Sequence, residues 1–440
     1  MLRNKLQTLL LTLLVVSAFS TSVFATDGYF RHGYGIRYSA LAGSGVAVSL
    51  SSLGAITNPA GIVFINNRYD LNISYFSPAR EYTVTGNPSM MQGTFGLAPG
   101  TIESDKSGFF FPTLGANWGI NSNMAIGVVI YGNGGMNTDY PTMTFGEQNS
   151  PGTGVNLEQL FGGLTFGIEI TEGHALAVQG LFGWQRFTAQ GLFNFSPFSS
   201  SPANLTGNEK STSTGFGFKV GYQGQFGKII RFGAAFQSKM NMSEFDRYAG
   251  LFAEQGGFDV PANWQAGIAV IPCEALTILL DVQQILYSDV KSIANPLDAM
   301  ALPPAFPDGQ GGFVPNPAHV PLGADNGSGF GWEDMTIVKF GLIYNLPEAW
   351  TLYGGYSYGK QPIPESEVMF NILAPAVVEH HITLGLSKTI NKSHELMIAF
   401  MYAPKGSVVG PNPLEVPNQQ TIELNMSQFQ IDIGYGFSIL

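Results

Sequence analysis

The sequence predicts an all-β protein, a 14-stranded antiparallel transmembrane β-barrel with an N-terminal hatch that plugs its lumen. Three observations predict this fold: a signal-peptide-like start, apolar–polar alternation along most of the chain, and short and long connections in strict order. Only 12% of the 440 residues are charged, whereas about a quarter is usual in soluble domains. The charged share is therefore about half that of a soluble domain.

The N-terminus resembles a secretory signal peptide. Arg3 and Lys5 are basic, an apolar stretch follows, and Val23-Phe24-Ala25 supplies a cleavage site. The apolar stretch is shorter than the roughly 20 residues that a membrane-spanning helix needs, so a retained helix is the less favoured alternative. We therefore expect residues 1–25 to be removed.

Alternation with a period of two indicates strands. Leu71, Ile73 and Tyr75 would share one face of a strand, and Asn72 and Ser74 the other. Fourteen such segments can be counted: 69–77, 108–119, 124–132, 159–170, 174–187, 213–226, 229–242, 261–271, 275–288, 334–345, 350–360, 378–390, 394–403 and 424–440.

The connections distinguish a barrel from a soluble β-sandwich, which also alternates. Tight links follow the even strands, such as Gly227-Lys228, and long polar or Gly/Pro-rich stretches follow the odd ones. This order places all long loops on one side, as in outer-membrane barrels. Because every backbone N–H and C=O must be paired in hydrocarbon, strands can span only as a closed sheet. We expect residues 67–440 to form it.

Residues 26–66 lack the strand pattern. They are rich in glycine and small side chains, and the segment ends in a motif of Asn58, Pro59, Ala60 and Gly61. Such a segment cannot build its own core, and a barrel of this size has a lumen to fill. We predict that residues 26–66 form the hatch, with a flexible tail as the alternative.

Charge and side-chain chemistry exclude several function classes. The formal net charge is −11, which argues against a nucleic-acid partner. Cys273 is the only cysteine, and none of the six histidines lies in a catalytic motif. We therefore expect no enzyme activity, no metal and no cofactor. An aqueous porin is a further rival, but a porin keeps a charged open constriction, whereas this chain has few charges and a predicted plug.

Three stretches together resemble one known family. The resemblance to the FadL/TodX family of outer-membrane transporters covers nearly the whole mature chain. The stretches are the small-residue run ending in Asn58-Pro59-Ala60-Gly61; Pro261 to Gly267 continuing through Leu280-Asp281-Val282-Gln283 to Lys291; and Gly331-Trp332-Glu333-Asp334 continuing to Pro362-Ile363-Pro364.

The resemblance implies a function. Members take up long-chain fatty acids or aromatic hydrocarbons passively, through a groove on the outer loops, an inner apolar pocket, and a lateral gap where a strand is kinked. It implies a monomer in the outer membrane of a Gram-negative-type cell, with a hydrophobic small molecule and outer-membrane lipid as partners. Long-chain fatty acids are the first expectation for the substrate and uncharged aromatic or aliphatic hydrocarbons the second. A structural protein, adhesin or receptor is the alternative of another class.

Apolar clusters in two outer loops are the candidates for the ligand groove. Residues 243–255 have a helical pattern, and an exposed apolar cluster on an outer loop requires a reason. Ligand capture and packing of the loop against itself explain the clusters equally well. The groove candidates are Leu192, Phe193, Phe195, Phe198, Phe245, Tyr248 and Phe252.

The candidates for the lateral gap are Gly132, Asn133, Gly134 and Gly135, because glycine inside a strand marks a bulge or kink. The alternative is that the strand simply ends there.

The pocket candidates are Tyr29 and Phe30, with Arg186 as the partner of a ligand carboxylate. Arg186 resembles a family position with that role. Strict alternation, however, puts Arg186 on the face of Phe182 and Trp184, so snorkelling at the surface is the plainer account. Glu333 falls where some relatives offer a basic residue, which weakens the preference for fatty acids.

Overall fold

The computed structural model describes residues 27–439, so the predicted signal peptide lies outside the described residues. One antiparallel sheet closes on itself, because its first long strand pairs with its last over eighteen residue pairs, from Arg68 opposite Ser438 to Thr85 opposite Thr421. Of the sixteen strands in the sheet, two are short additions, Gly100–Glu103 and Asn241–Met242. The other fourteen form the barrel wall, as predicted.

The wall strands follow the chain order. They are β1 (Arg68–Thr85), β2 (Phe109–Gly119), β3 (Met124–Asn137), β4 (Gly154–Thr171), β5 (His174–Gln190), β6 (Ser211–Phe226), β7 (Ile230–Gln237), β8 (Asn263–Cys273), β9 (Leu276–Ile285), β10 (Met335–Leu346), β11 (Trp350–Gly359), β12 (His380–Ile390), β13 (His394–Pro411) and β14 (Thr421–Ser438).

Each predicted segment overlaps one wall strand, but several strands extend further. β1 continues eight residues past the predicted end at Ser77, β13 eight past Ala403, and β4 begins five before Gln159. These extensions lie at the ends that carry the long loops. Beyond the hydrocarbon no apolar outward face is required, so the alternation fades while backbone pairing continues.

The two faces of the wall have opposite chemistry. Leu71 and Ile73 are 45% and 49% exposed on the outside, whereas Asp70, Asn72 and Ser74 between them are buried in the lumen. The predicted assignment of the apolar face to lipid and the polar face to the lumen is therefore confirmed.

Helices are short throughout residues 27–439, and none of them is long and apolar enough to cross a membrane. The α-helices are α1 (Ile36–Ser39), α2 (Ala253–Gly256), α3 (Lys291–Ala294) and α4 (Val368–Asn371). The 3₁₀ helices are Ser52–Ile56, Pro59–Phe64, Phe193–Phe198, Pro202–Asn204, Asp246–Tyr248, Tyr287–Asp289, Pro347–Ala349 and Glu365–Glu367, and Ala305–Pro307 pairs with Phe313–Pro315 in a separate hairpin.

The helical pattern over residues 243–255 gives only one 3₁₀ turn and α2. Glu254, Gln255 and Gly256 all have positive φ, which ends any regular helix there. The apolar side chains of this loop are positioned by packing rather than by a helix.

The hatch occupies the lumen. Most residues from Asp27 to Ile62 are buried, and the 3₁₀ helix Pro59–Phe64 packs against β5, β6 and β4. The hatch packs against the polar inner face of the wall, so polar contacts fix its position.

Candidate functional site

Asp281 of β9 anchors the middle of the hatch. Its Oδ2 accepts hydrogen bonds from the backbone N–H groups of Gly45 and Val46, at 2.7 and 2.9 Å, and from Gln265 Nε2 at 2.8 Å. A carboxylate that accepts backbone N–H groups makes strong, charge-assisted bonds. One lumen-facing side chain therefore holds the turn at Gly45.

The Asn-Pro-Ala-Gly motif fixes the end of the hatch. Asn58 Oδ1 accepts from Ala60 N at 3.1 Å, which caps the 3₁₀ helix that Pro59 begins, and Asn58 Nδ2 donates to the carbonyls of Val46 and Tyr222. A side chain at Gly221 of β6 would strike Asn58 at 2.2 Å. The motif therefore joins the hatch to itself and to the wall.

Further polar contacts lock the hatch around the lumen. Ser52 N and Oγ donate to Asp70, Arg37 donates to Glu395, and Thr383 Oγ1 donates to Ala40 O.

A separate set of polar contacts holds the first residues of the hatch. Lys339 Nζ of β10 donates to Asp27 Oδ2 at 3.1 Å and to His32 O at 2.8 Å. The His32 ring stacks on that of His381 at 5.7 Å. Burial, with His381 and Arg31 close by, holds the pKa of His32 well below its usual range, so its imidazole stays neutral and adds no positive charge beside Lys339.

β3 has a bulge at the predicted kink. Gly132 pairs with Leu160 of β4 and Gly135 with Glu158, so three residue steps on β3 match two on β4. The extra residue bends β3 and ends its pairing with β2. The strand does not end at Gly132, because it continues to Asn137.

Beyond the bulge, part of the wall lacks backbone pairing between neighbouring strands. The ladder between β2 and β3 runs only from Gly119 opposite Ala125 to Thr113 opposite Tyr131. Beyond it, residues 109–112 of β2 still pair with β1, while residues 132–137 of β3 pair only with β4 among the wall strands. We call the space between these two stretches the lateral gap.

The first residues of the hatch stand on the inner side of the lateral gap. Phe30 is bridged to Gly134, Arg31 N donates to Asn133 O, and Gly135 N donates to Tyr29 O at 3.1 Å. The hatch therefore gives the kinked part of β3 the backbone partners that β2 does not supply.

Tyr29 and Phe30 belong to a buried cluster of aromatic rings, which we call the aromatic pocket and define with Phe258, Tyr287 and Trp332. The ring centroid of Tyr29 lies 5.1 Å from Phe30, 5.6 Å from Tyr287, 6.1 Å from Trp332 and 6.2 Å from Phe258. No sequence pattern marked the last three as pocket residues. Tyr287 and Trp332 lay within the stretches that carry the family resemblance, which is the signal that could have found them.

Tyr287 also tethers the hatch backbone. Its hydroxyl donates to Asp27 O at 2.6 Å and accepts from Tyr29 N at 3.2 Å. A side chain at Gly28 would lie 2.1 Å from that hydroxyl, so this close approach requires glycine.

The structure separates Arg186 from the other pocket candidates. Arg186 lies on the outward face of β5, forms an ion pair with Glu158 of β4 directly opposite, and has its guanidinium 5.7 Å from the ring of Trp184. Tyr29 and Phe30 lie inside the lumen. Strand parity thus gives Arg186 a place on the outer surface rather than in the pocket. Glu333, the other family position considered, lies 3.8 Å from Lys360.

The groove candidates form two groups. Leu192, Phe195 and Phe252 line a small apolar cavity, the outer cavity, together with Phe330, Phe370 and Leu373 among others. Phe198 packs beside Phe195 at 6.2 Å, and Phe193 is 60% exposed.

The second group packs within the loops. Phe245 and Tyr248 are fully buried against Phe187, at 5.5 and 4.8 Å. The apolar loop residues therefore divide into a subset that lines the outer cavity and a subset that packs within the loops.

These two subsets allow a matched comparison. Phe252→Ser is expected to weaken ligand capture about tenfold, because it removes apolar area from the outer cavity. Phe245→Ser should lower loop stability while changing ligand affinity less, because Phe245 does not line the cavity. Equilibrium binding of labelled dodecane to the two variants measures the difference in ligand affinity. Equal affinities would contradict the assignment of Phe252, rather than Phe245, to ligand capture.

Residues 27–439 contain no group of three histidine, cysteine, aspartate or glutamate side chains placed to hold a metal ion.

Comparison with known proteins agrees with this geometry. Residues 20–416 match the family model of outer membrane protein transport proteins (OMPP1/FadL/TodX). The chain belongs to this family. Comparison with curated protein sequences gave no match.

Solved structures of transport channels share the fold. The P. putida toluene transporter TodX is 16% identical, with a TM-score of 0.65 over 93% of this chain and 99% of the other. A Pseudomonas aeruginosa FadL homologue is 14% identical with a TM-score of 0.67 over the same shares, 93% and 99%. The Ralstonia pickettii toluene transporter TbuX is 16% identical with a TM-score of 0.60, again over 93% and 99%. These relatives are transport proteins rather than enzymes, and the family and the closed barrel place this FadL/TodX-family chain in the outer membrane of a Gram-negative-type cell.

Proposed function

We propose that this protein carries hydrophobic small molecules passively across the outer membrane and releases them sideways through the lateral gap. One observation carries the proposal: backbone pairing between β2 and β3 stops at the lateral gap, and residues 29–31 of the hatch border it. A molecule that leaves there enters lipid directly, so it never has to cross the polar contacts that hold the rest of the hatch.

Aromatic contacts connect the outer cavity to the lateral gap. The ring of Phe252 in the outer cavity lies 5.0 Å from Phe258, which lies 6.2 Å from Tyr29. On the other side, Phe330 of the cavity lies 6.3 Å from Trp332, and Trp332 lies 6.1 Å from Tyr29. An apolar ligand that displaced these side chains would stay in contact with aromatic rings between the outer cavity and the lateral gap, which would keep it out of water.

The polar contacts that hold the hatch in the lumen support an exit sideways through the wall rather than straight along the barrel axis. The carboxylates Asp70, Asp281 and Glu395 all bind hatch groups within the lumen. A straight path would have to break all of these charge-assisted bonds. A sideways path needs only residues 27–31 to move, and their ionic contacts are those of Asp27 with Lys339 and of Arg31 with Asp432.

Long-chain fatty acids are the first substrate class that we propose, and uncharged aromatic or aliphatic hydrocarbons are the second. The second class is favoured by the apolar lining of the outer cavity and the aromatic pocket, and two of the structural relatives are described as toluene transporters. The sheet closes on itself through β1 and β14, so we propose that the protein acts as a monomer surrounded by outer-membrane lipid.

Uptake by reconstituted vesicles tests the proposal. Purified protein in phospholipid vesicles should speed the entry of dodecanoate and of toluene relative to protein-free vesicles, without an energy source. A small polar solute such as a sugar should enter no faster. Equal entry of the sugar would identify an aqueous porin, and no acceleration of either hydrophobic probe would leave the adhesin or receptor role as the better account.

A further inference from the structure

The lateral gap is closed at both ends. Toward the short turns it ends at the last pair between β2 and β3, Thr113 opposite Tyr131. Toward the long loops the two chains meet again, because Asp105 N donates to Asp139 O at 2.9 Å and Asp139 N donates to Ser104 Oγ at 3.0 Å. The gap is therefore a window of limited size rather than an open slot.

Arg80 of β1 lies across this window at its long-loop end. Its guanidinium donates to Lys106 O, shortly before β2, and to Asn137 O, the last residue of β3. The side chain is 4% exposed. A guanidinium is a planar fork whose donors have a fixed geometry. One side chain of β1 therefore fixes the separation between the two sides of the lateral gap.

Two arginines stand over the aromatic rings on the β2 side of the gap, and they differ in what carries them. The guanidinium of Arg31 lies 4.9 Å from the ring of Phe111, and that of Arg80 lies 5.6 Å from the ring of Phe109. Arg31 belongs to the hatch and moves with residues 27–31 on the proposed exit path. Arg80 belongs to the wall, so it stays when the hatch moves.

Arg80 also lines a small cavity between the aromatic pocket and the lateral gap. The lining includes Tyr29 and Trp332 of the aromatic pocket and Gly135 and Met136 of the bent part of β3. Among the described residues around this cavity, Arg80 is the one with a charged side chain. The free volume is about 30 Å³, which is less than a toluene molecule occupies, so a passing ligand must displace part of the lining.

We propose that Arg80 is a specificity-determining residue of the lateral exit, which excludes molecules too wide to pass beside it. The inference rests on the proposed function and adds selection by width. Alkyl chains and single aromatic rings pass when residues 27–31 move, whereas fused ring systems also require Arg80 to leave one of its carbonyl partners. Selection acts through size rather than charge, because each terminal nitrogen of the guanidinium donates to the main chain.

Entry of toluene and of pyrene into reconstituted vesicles tests the proposal. The unmodified protein should speed the entry of toluene but hardly that of pyrene, a fused ring system. Arg80→Met keeps an apolar chain beside Phe109 and removes both hydrogen bonds. It should raise pyrene entry about ten- to hundredfold, the effect on a barrier of losing a hydrogen bond from a charged donor. Toluene entry should be nearly unchanged.

Two further variants complete the comparison. Arg80→Lys keeps the positive charge but not the fork, so it should give intermediate pyrene entry, and it carries the test if Arg80→Met fails to fold. Arg231→Met is the matched control. Arg231 lies between the lipid-facing residues Ile230 and Phe232 of β7, at the short-turn end of the wall, and its replacement should change the entry of neither probe.

The ratio of pyrene entry to toluene entry separates selection by width from a general structural role. Equal increases for both probes would overturn the proposal, and so would unchanged pyrene entry in both Arg80 variants. Dodecanoate and dodecanol should respond alike to Arg80→Met, and a loss confined to dodecanoate would also overturn it, since charge would then matter. If the unmodified protein sped the entry of neither toluene nor dodecanol, the proposed function would fail instead, so the two failures are distinguishable.

Discussion

Replacement of Gly134 and Gly135 by valine is expected to reduce uptake of hydrophobic probes to the rate of protein-free vesicles. Glycine inside a strand weakens pairing and permits a bulge, whereas branched side chains favour regular strand pairing. In the double variant β3 would straighten toward β2 and the lateral gap would close. Uptake of dodecanoate and toluene by reconstituted vesicles measures the effect.

Gly162 and Gly180 provide the control. Both lie in neighbouring strands, β4 and β5, and an added side chain would meet no atom within 4 Å at either. The double variant Gly162→Val/Gly180→Val should leave uptake unchanged. It should also keep the heat-dependent shift in electrophoretic mobility that identifies a folded barrel. Normal uptake in the Gly134/Gly135 variant, with the barrel folded, would refute the lateral exit.

Asp281→Leu is expected to release the middle of the hatch. The change leaves the backbone N–H groups of Gly45 and Val46 without their acceptor, at a cost of about 1–3 kcal/mol each. Ion conductance across planar bilayers should rise well above that of the unmodified protein, and amide exchange at residues 43–48 should quicken.

Two further variants provide an intermediate case and a control for this result. Asp281→Asn keeps one acceptor oxygen and should give an intermediate conductance. Asp325→Leu removes a carboxylate that contacts Gln255 at the exposed surface and should have no effect. If Asp281→Leu conducted no more than the unmodified protein, the hatch would be held by its apolar packing rather than by Asp281.

The wall of the barrel could be predicted from the sequence because lipid imposes a strict rule on it. Every outward residue in the hydrocarbon must be apolar, so Leu71 and Ile73 alternate visibly with Asn72 and Ser74. Glycines 132, 134 and 135 marked the bulge for a similar local reason. Strand parity alone also indicated the outward position of Arg186.

The contents of the lumen could not be predicted in the same way. Which side chains meet there depends on how fourteen strands are staggered and on the path of the hatch, and no local pattern encodes either. Lys219 and Arg31 line one chamber although 188 positions separate them in the sequence. The division of the loop phenylalanines into cavity-lining Phe252 and packing Phe245 depends on contacts with loops far away in the chain.

Phe30 and Gly134 allow a reversible test of the central claim, that hydrophobic ligands leave through the wall where the hatch meets β3. The backbone bonds of this bridge come from the flanking residues, so the two residues form a non-hydrogen-bonded pair, whose Cα atoms are typically about 4.5 Å apart. That spacing suits a disulfide. Exposed Cys273 is first replaced by serine.

The decisive measurement is uptake of dodecanoate and toluene by vesicles that contain Phe30→Cys/Gly134→Cys in the Cys273→Ser background. Oxidation should fix the first residues of the hatch against β3 and stop uptake, and reduction should restore it. The single-cysteine variants should respond to neither treatment. Uptake that continues at full rate with the disulfide formed would contradict the account.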